Sequence, residues 1–494
     1  MPAEDNIARL DAHRRRRRGD GPAGGGPSPG TLMLDPKYPE QIAGEFLAAR
    51  HVDEQERRLL LCQGGVFYRY DGIAYRAIEE ARLEHQIYEF ARPAWCPTKN
   101  GAEPFPADKR KVHDIVHALR ALVHVSAEIA PPAWLGEAVP DLAAEDIVSC
   151  RNTLLHVPTM SRLPHTPEFF TLNALDFDYE PEAACPHWLR FLEEVLEPEA
   201  REQLRQINGY LLTPATDQQK TFLAIGPPRS GKGTVARVLA SLLGERNVVA
   251  PILSSLATTF GREQLLGKRL ALISDARLSL RTDQGPIVET ILSISGEDTI
   301  TIQRKFLPAW SGRLPLRFFM LSNELPGFVD ISGAFVSRWI VLRFPNSFLG
   351  REDPDLTARL LTELPGILNW ALDGLARLRA AGRFVQPRAS ADLLQRWEDL
   401  SSPIKAFLRT ECVVDPEAVV DRDVIFGAWK DWCADQGYGR AGSKASFGKH
   451  LVANVIGLLD AREPRRVDVA GQPLPRRHLY RGLRLKTERE EAQE

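Results

Sequence analysis

A chain of 494 residues with 44 % hydrophobic and 26 % charged residues has the composition of an ordinary folded protein, with room for roughly three domains. Its 63 Lys and Arg nearly balance 65 Asp and Glu; the net charge of −2 excludes a bulk pull toward nucleic acid, so any such binding must come from local asymmetry. Cys62, Cys96, Cys150, Cys185, Cys412 and Cys433 form no CxxC or CxxH pair, which excludes a zinc ribbon and fits reduced thiols. With no apolar run of about eighteen residues and no signal-peptide layout, the expectation is a cytoplasmic protein without membrane contact.

Residues 1–30 hold Arg14 to Arg18 followed by a Gly/Pro-rich run too polar to bury a core, which predicts a disordered tail. The arginines could touch nucleic acid, although a solvated tail is the plainer reading. Residues 31–185 read as an N-terminal α+β region. Two β-prone runs flank Asp71-Gly72 between Val66 and Ile78, a hairpin signal, and apolar spacing predicts helices over Glu80–Ala91 and Lys111–Val125. No acid-acid-base set for nucleotidyl transfer stands out there. Helical spacing over His187–Leu212 leads into residues 186–350, where helices alternate with apolar strands, the pattern of an α/β domain with a largely parallel sheet. Helices over Leu356–Leu378 and Pro387–Leu408 suggest a lid and linker (351–410). In residues 411–486, helices over Asp421–Gln436 and Ser443–Ile456 precede two β-prone pieces around Gly471-Gln472-Pro473, which predicts a winged-helix domain; 487–494 is a charged tail.

The most informative segment is TFLAIGPPRSGKGTVARVL, from Thr221 to Leu239. An apolar strand, a GxxxxGK turn and a helix form a P-loop: Gly226, Pro227, Pro228, Arg229, Ser230, Gly231, Lys232, Gly233 and Thr234 would cradle the phosphates of ATP. Glycine lets backbone N–H groups converge on phosphate oxygens, Lys232 supplies a point charge, and the helix dipole adds to it. Gly233 stands where Ser or Thr usually binds Mg²⁺, so Thr234, one place later, is the hydroxyl candidate for the metal, which would be held mostly through water.

Hydrolysis also needs an acid near the metal, a group to position water and a cation for the transition state. Asp275 ends the apolar run Leu270-Ala271-Leu272-Ile273-Ser274 and is the candidate metal acid, against a surface Asp capping a buried strand. The next residue is Ala276, so the second acid found in many ATPases is missing, with Glu297 or Asp298 as substitutes. Asn323 ends the run Arg317 to Ser322 and could bond the γ-phosphate and water; a turn-forming Asn is the plain alternative. Arg338 could serve a neighbouring subunit's nucleotide as an arginine finger, a role that requires a ring; Arg343 is the second choice.

The motif order of P-loop, Asp-ended strand, GEDTITIQRK, Asn-ended strand and Arg resembles superfamily 3 helicases. The segments NGYLLTPATDQQKTFLAIGPPRSGKGT, GKRLALISDARL and ILNWALDGLARL, with WKDWCADQGY downstream, are similar to the C-terminal region of phage and plasmid primase-helicases, the group related to satellite-phage and poxvirus replication helicases. The resemblance spans nearly the whole chain after residue 35. It implies an AAA+ ATPase core that assembles as a homo-hexamer on single-stranded and replication-fork DNA, a collar-type N-terminal region and a C-terminal winged helix. It also implies a separate primase or initiator, since no primase module fits ahead of residue 190. Under the same resemblance Arg304 and Lys305 lie on a hairpin that points into the ring toward DNA.

Between Arg440 and Lys486, eleven basic residues face three acids, a local net charge of +8. Lys444 and Lys449 on a recognition helix, with Arg465, Arg466, Arg476 and Arg477 on a wing, are the candidate DNA contacts. Two rival readings stay open: an adenylate-type nucleotide kinase, whose P-loop GPPRSGKGT closely matches, and a replication initiator that uses ATP only as an assembly switch.

Overall fold

The computed structural model describes residues 28, 30–136, 141–276, 284–328, 334–437, 441–462 and 477–487. The chain divides into two compact units, one running to Gly136 with Thr166–Phe170, the other comprising Glu137–His165 and the chain from Thr171 onward.

In the first unit the expected hairpin forms, with Tyr70 opposite Tyr75, Gly72 at φ +102° and the Asp71 carboxylate accepting from the Ile73 and Ala74 amides. A third strand, Leu60–Gln63, completes the antiparallel sheet. Its burial on consecutive residues hides the period-two signal that would have identified it. Helices Pro39–Arg50, Glu80–Ala91 and Lys109–Leu122 pack Phe46, Ile87 and Ile115 into one core. Asp108 starts the last of them, its side chain accepting from the Lys111 amide.

A parallel sheet must be apolar on both faces because helices cover both, and the second unit meets that condition. Its five strands lie in the order Val248–Val249, Leu270–Ile273, Arg317–Ser322, Thr221–Ile225 and Trp339–Arg343, all parallel. Phe222, Phe319 and Ile340 point into one core with helices Pro198–Leu212, Lys232–Leu243 and Leu364–Ala381. Leu223, Met320 and Val341 point into the other with helix Gly285–Ser295. The chain is therefore of the α/β class read from the alternation of helices and strands.

Prolines set boundaries that periodicity blurs. The single helical run His187–Leu212 is two helices, Pro186–Val195 and Pro198–Leu212, and the run Leu356–Leu378 is Leu356–Leu361 followed by Leu364–Ala381. Pro387–Leu408 likewise resolves into Ala391–Ser401 and Pro403–Glu411, with Pro403 opening the second piece. Helices Pro198–Leu212 and Leu364–Ala381 approach through glycine: a Cβ on Gly209 would lie 2.2 Å from the Ala371 carbonyl oxygen, and one on Gly374 2.4 Å from that of Arg205.

The last segment holds helices Arg422–Asp435 and Lys444–Asn454, capped by the Asp421 and Ser443 side chains. Beside them, strand His478–Leu485 pairs antiparallel with both Leu459–Arg462 and a strand absent from the sequence reading, Cys412–Asp421. The predicted wing tip around Gly471-Gln472-Pro473, the residue 1–27 portion of the predicted tail and residues 488–494 lie outside the described residues. All six cysteines are free and buried, and burial pushes the Cys150 thiol up to about 12.

Candidate functional site

The buried strand Thr221–Ile225 delivers the glycine-rich loop to the carboxyl edge of the sheet, the edge where open α/β sheets bind ligands. Gly226 donates its N–H to the Ser322 carbonyl at 3.3 Å. A Cβ at Gly226 would lie 2.2 Å from the Phe344 carbonyl oxygen, so glycine is required there by the neighbouring strand's exit. Gly231 has φ +92°, and a Cβ on it would meet Val195 at 2.9 Å and Phe191 at 3.2 Å. Both glycines are fixed by packing inside the protein before any phosphate is considered. Gly233 differs: a Cβ there meets only the Arg237 guanidinium, at 3.4 Å.

Lys232 opens helix Lys232–Leu243 and is buried. Its Nζ donates to the carbonyl oxygens of Gly226 (2.7 Å) and Pro227 (2.8 Å) and to Ser230 Oγ (3.0 Å). Burial pushes the ammonium down to about 8. Three oxygens thus hold a cation that has no carboxylate partner among the described residues, the charge state an arriving polyanion would relieve.

Asp275 and Asn323 are both exposed at the carboxyl ends of neighbouring strands, since Ile273 pairs with Met320 and Ile225 with Ser322. The fold therefore brings Lys232, Asn323 and Asp275 to one edge of three adjacent strands. Thr234 Oγ1 accepts from Arg237 Nη2 at 3.2 Å, so a guanidinium sits where a cation on that hydroxyl would have to come. The donor set suits Mg²⁺ held by Asp275, water and phosphate oxygens, because Mg²⁺ takes only one or two carboxylates in such sites; it suits direct ligation by Thr234 poorly.

Arg338 lies at the far end of the sheet. The Thr221 amide donates to its carbonyl at 2.8 Å, which places it beside the start of the strand whose other end carries the loop, roughly 15 Å away. Its Nη1 donates to Gln219 Oε1 (3.0 Å) and the Ser295 carbonyl (3.1 Å), and Gln219 holds φ +50°. Glu297 belongs to the same end, with Thr216 donating to its carboxylate at 2.6 Å. Neither Glu297 nor the adjoining Asp298 stands beside Asp275 of its own chain, because helix Gly285–Ser295 returns the chain to the opposite edge. Arg343 is exposed at the loop edge, paired with Ile225.

A cavity of about 390 Å³ adjoins Gly231 and Thr234. Phe191 and Phe348 line its apolar side, and Arg190, Arg229, Arg237, Arg351 and Arg359 surround it. Arg359 pairs with Asp353, and Arg229 with Glu352 at 3.5 Å. No local pattern in the sequence announces this cavity, which is assembled from three separated segments. Its floor is tied to the loop by the Phe348 amide donating to the Arg229 carbonyl (2.9 Å) and Ser347 Oγ donating to that of Pro228 (2.8 Å).

Strands Ile300–Arg304 and Leu307–Gly312 form the expected hairpin. Arg304 Nε donates to the Pro308 carbonyl at 2.7 Å, and exposed Lys305 sets its Nζ 5.1 Å over the ring of Phe306. Phe306, 93 % exposed at φ +64°, is a feature the charge-based reading passed over.

The C-terminal segment is less cationic than the +8 window suggests. Over residues 411–486, thirteen basic residues face ten acids, a net of +3. Lys444 pairs with Asp423, Arg477 with Asp421 (4.0 Å) and Arg481 with Glu417 (2.9 Å). Lys449 is exposed, while Arg465, Arg466 and Arg476 lie outside the described residues.

Residues 45–197 match the family model "D5 N terminal like", and residues 224–338 match a family of unknown function, DUF5906. The second match opens within the strand leading to the glycine-rich loop and closes on Arg338. Among solved structures, the A form apo structure of the NrS-1 C-terminal region is 11 % identical, with 80 % of this chain and 82 % of that one covered at a TM-score of 0.44. A second apo structure of that region is 12 % identical, covering 86 % and 88 % at a TM-score of 0.45.

Proposed function

We propose that this chain is an ATP-dependent DNA helicase of phage, prophage or plasmid replication that hydrolyses ATP between subunits of a hexameric ring. The observation that carries the reading is the convergence of Lys232, Asn323 and Asp275 on the carboxyl edge of three adjacent parallel strands. The D5-type match over residues 45–197 supports the replication setting. In this reading the loop is a P-loop, the five-stranded sheet an AAA+ core, and the capped helix pair with its sheet a winged helix.

The triphosphate lies along Gly226–Thr234, with the nucleoside in the adjoining cavity. Lys232 exchanges its loop carbonyls for β- and γ-phosphate oxygens, and the amides opening helix Lys232–Leu243 add their dipole. Asp275 is the residue that would hold Mg²⁺, through water, and the ion would supply charge neutralisation at the phosphates. Asn323 orients the attacking water. Arg338 faces away from its own loop, so it acts on a neighbour's nucleotide, which makes the ring part of the active site. Arg304 and Lys305 track the DNA backbone, giving sequence-independent, salt-sensitive binding.

The test is ATP turnover with and without single-stranded DNA, on wild type and Lys232→Ala. DNA-stimulated turnover that Lys232→Ala abolishes is expected. Turnover that ignores DNA and requires AMP would instead identify a nucleotide kinase, and tight ATP binding without turnover an assembly switch.

A further inference from the structure

Two guanidinium groups are buried on the amino-terminal side of the central sheet, and their surroundings differ. Arg317, 2 % exposed, opens its strand and points its Nη2 at the last turn of helix Pro198–Leu212, donating to the carbonyl oxygens of Tyr210 (3.1 Å), Leu211 (2.8 Å) and Thr213 (2.7 Å). A cation at a helix C-terminus satisfies the orphan carbonyls and the negative end of the dipole. Arg269, 5 % exposed, immediately precedes strand Leu270–Ile273, and its backbone is fully used: its N–H donates to the Asn247 carbonyl and its own carbonyl accepts from the Arg317 amide. Its side chain has no such provision. Nε and Nη1 are buried without a hydrogen-bond partner. Among the described residues no carboxylate acts on it, and the charge it feels is the like charge of Arg317.

Burial lowers the Arg269 guanidinium to about 9, still above neutral pH, so deprotonation does not remove the charge. A buried, unpaired cation is among the most costly arrangements in a protein interior and is ordinarily met by a counter-charge. Arg269 lines a cavity of about 20 Å³, above the roughly 10–15 Å³ that one water-sized particle occupies. Ser149, Thr171, Asn173 and Asn247 bring polar groups to the same walls. The Asn247 amide is already committed, donating to the carbonyls of Ala174 and Leu243 and accepting from Asn173 Nδ2. Among the described residues the cavity therefore offers an unsatisfied cation and no anionic side chain.

We propose that this cavity is a binding site for a single small monovalent anion of the chloride class, held by Arg269. Sulfate and phosphate are too large for the space, and a water molecule would hydrogen-bond the guanidinium while leaving its charge uncompensated. The site is independent of the ATPase reading, because it lies at the opposite edge of the sheet from Lys232.

The experiment is thermal unfolding of the full chain, without nucleotide, in a series where chloride replaces gluconate at constant ionic strength. The melting temperature is expected to rise with the logarithm of chloride concentration above the dissociation constant, by on the order of 2 °C at tenfold excess. Bromide should substitute and sulfate should not. Arg269→Met is expected to lose the dependence. Should that variant fail to fold, chloride-35 line broadening by the wild-type protein, displaced by bromide, reads the same site. A melting temperature indifferent to chloride together with unbroadened chloride resonances would mean that water alone fills the cavity, and would overturn the proposal.

Discussion

Lys232 couples the candidate site to pH. With its ammonium lowered to about 8 in the nucleotide-free chain and held charged by phosphate in the complex, nucleotide affinity should be flat below pH 8. Above that it should fall by up to tenfold per pH unit, as titration with a fluorescent nucleotide at pH 7, 8 and 9 would show. The same shift bears on stability. The folded value lies below the unfolded one of 10.5, so the folded chain binds fewer protons between about 8 and 10.5. The buried charge therefore costs stability in full below pH 8, and the cost fades as pH rises through that window. Lys232→Met should abolish nucleotide binding while stabilising the nucleotide-free protein to urea by about 1 kcal/mol. Gly233 gives a second test. With only a movable guanidinium beside its missing Cβ, Gly233→Thr should fold normally, raise helix propensity by a few tenths of a kcal/mol and lower the Mg²⁺ concentration needed for half-maximal turnover. These residues were legible because the strand, turn and helix around them are contiguous. Arg317 was read as the start of an apolar strand, because its acceptors come from a helix about a hundred residues upstream, and no local pattern links the two.

Among the elements, the hairpin Ile300–Arg304 and Leu307–Gly312 separates charge from shape. Lys305→Ala should weaken single-stranded DNA binding and reduce the slope of log affinity against log salt by roughly 0.7, the loss of one phosphate contact, measured by anisotropy between low and moderate salt. An unchanged slope would remove Lys305 from the DNA path. Element identity was largely readable. Apolar spacing gave the helices at Glu80–Ala91 and Lys232–Leu243, and Asp71-Gly72 gave the hairpin. Strand Cys412–Asp421 was missed because Asp415, Pro416 and Glu417 interrupt its apolar pattern, and a register shift lies between Asp415 and Val419. Part of the basic face of the same segment is paired with acids. Counting charge along a window omits the acids that a preceding strand and helix bring against it, here Glu417, Asp421 and Asp423.

For the whole molecule, the separation of Arg338 from its own loop yields a complementation test. Lys232→Ala and Arg338→Ala should each be inactive alone. When they are mixed in equal amounts in a ring, about a quarter of the interfaces would join an intact loop to an intact arginine and recover turnover, whereas an arginine acting within its own chain would give no recovery. Sheet order, which decides that Asn323 sits between Lys232 and Asp275, was not available from motif order along the chain. It depends on which strands pair, and apolar runs of four to six residues carry no label for their neighbours.

The glycine contacts between helices Pro198–Leu212 and Leu364–Ala381 bear on how rigidly the two move together. Backbones in direct touch leave no layer of side chains to slide, so the two helices behave as a single rigid strut. The stretch Pro345–Asp355 is hydrogen-bonded to Pro228 and Arg229 at one end and continues into the second of these helices by way of Leu356–Leu361. If nucleotide occupancy moves the glycine-rich loop, an inserted glycine pair in that stretch should uncouple the loop from the helix pair, read as hydrogen-exchange protection of Leu364–Ala381 that no longer responds to nucleotide.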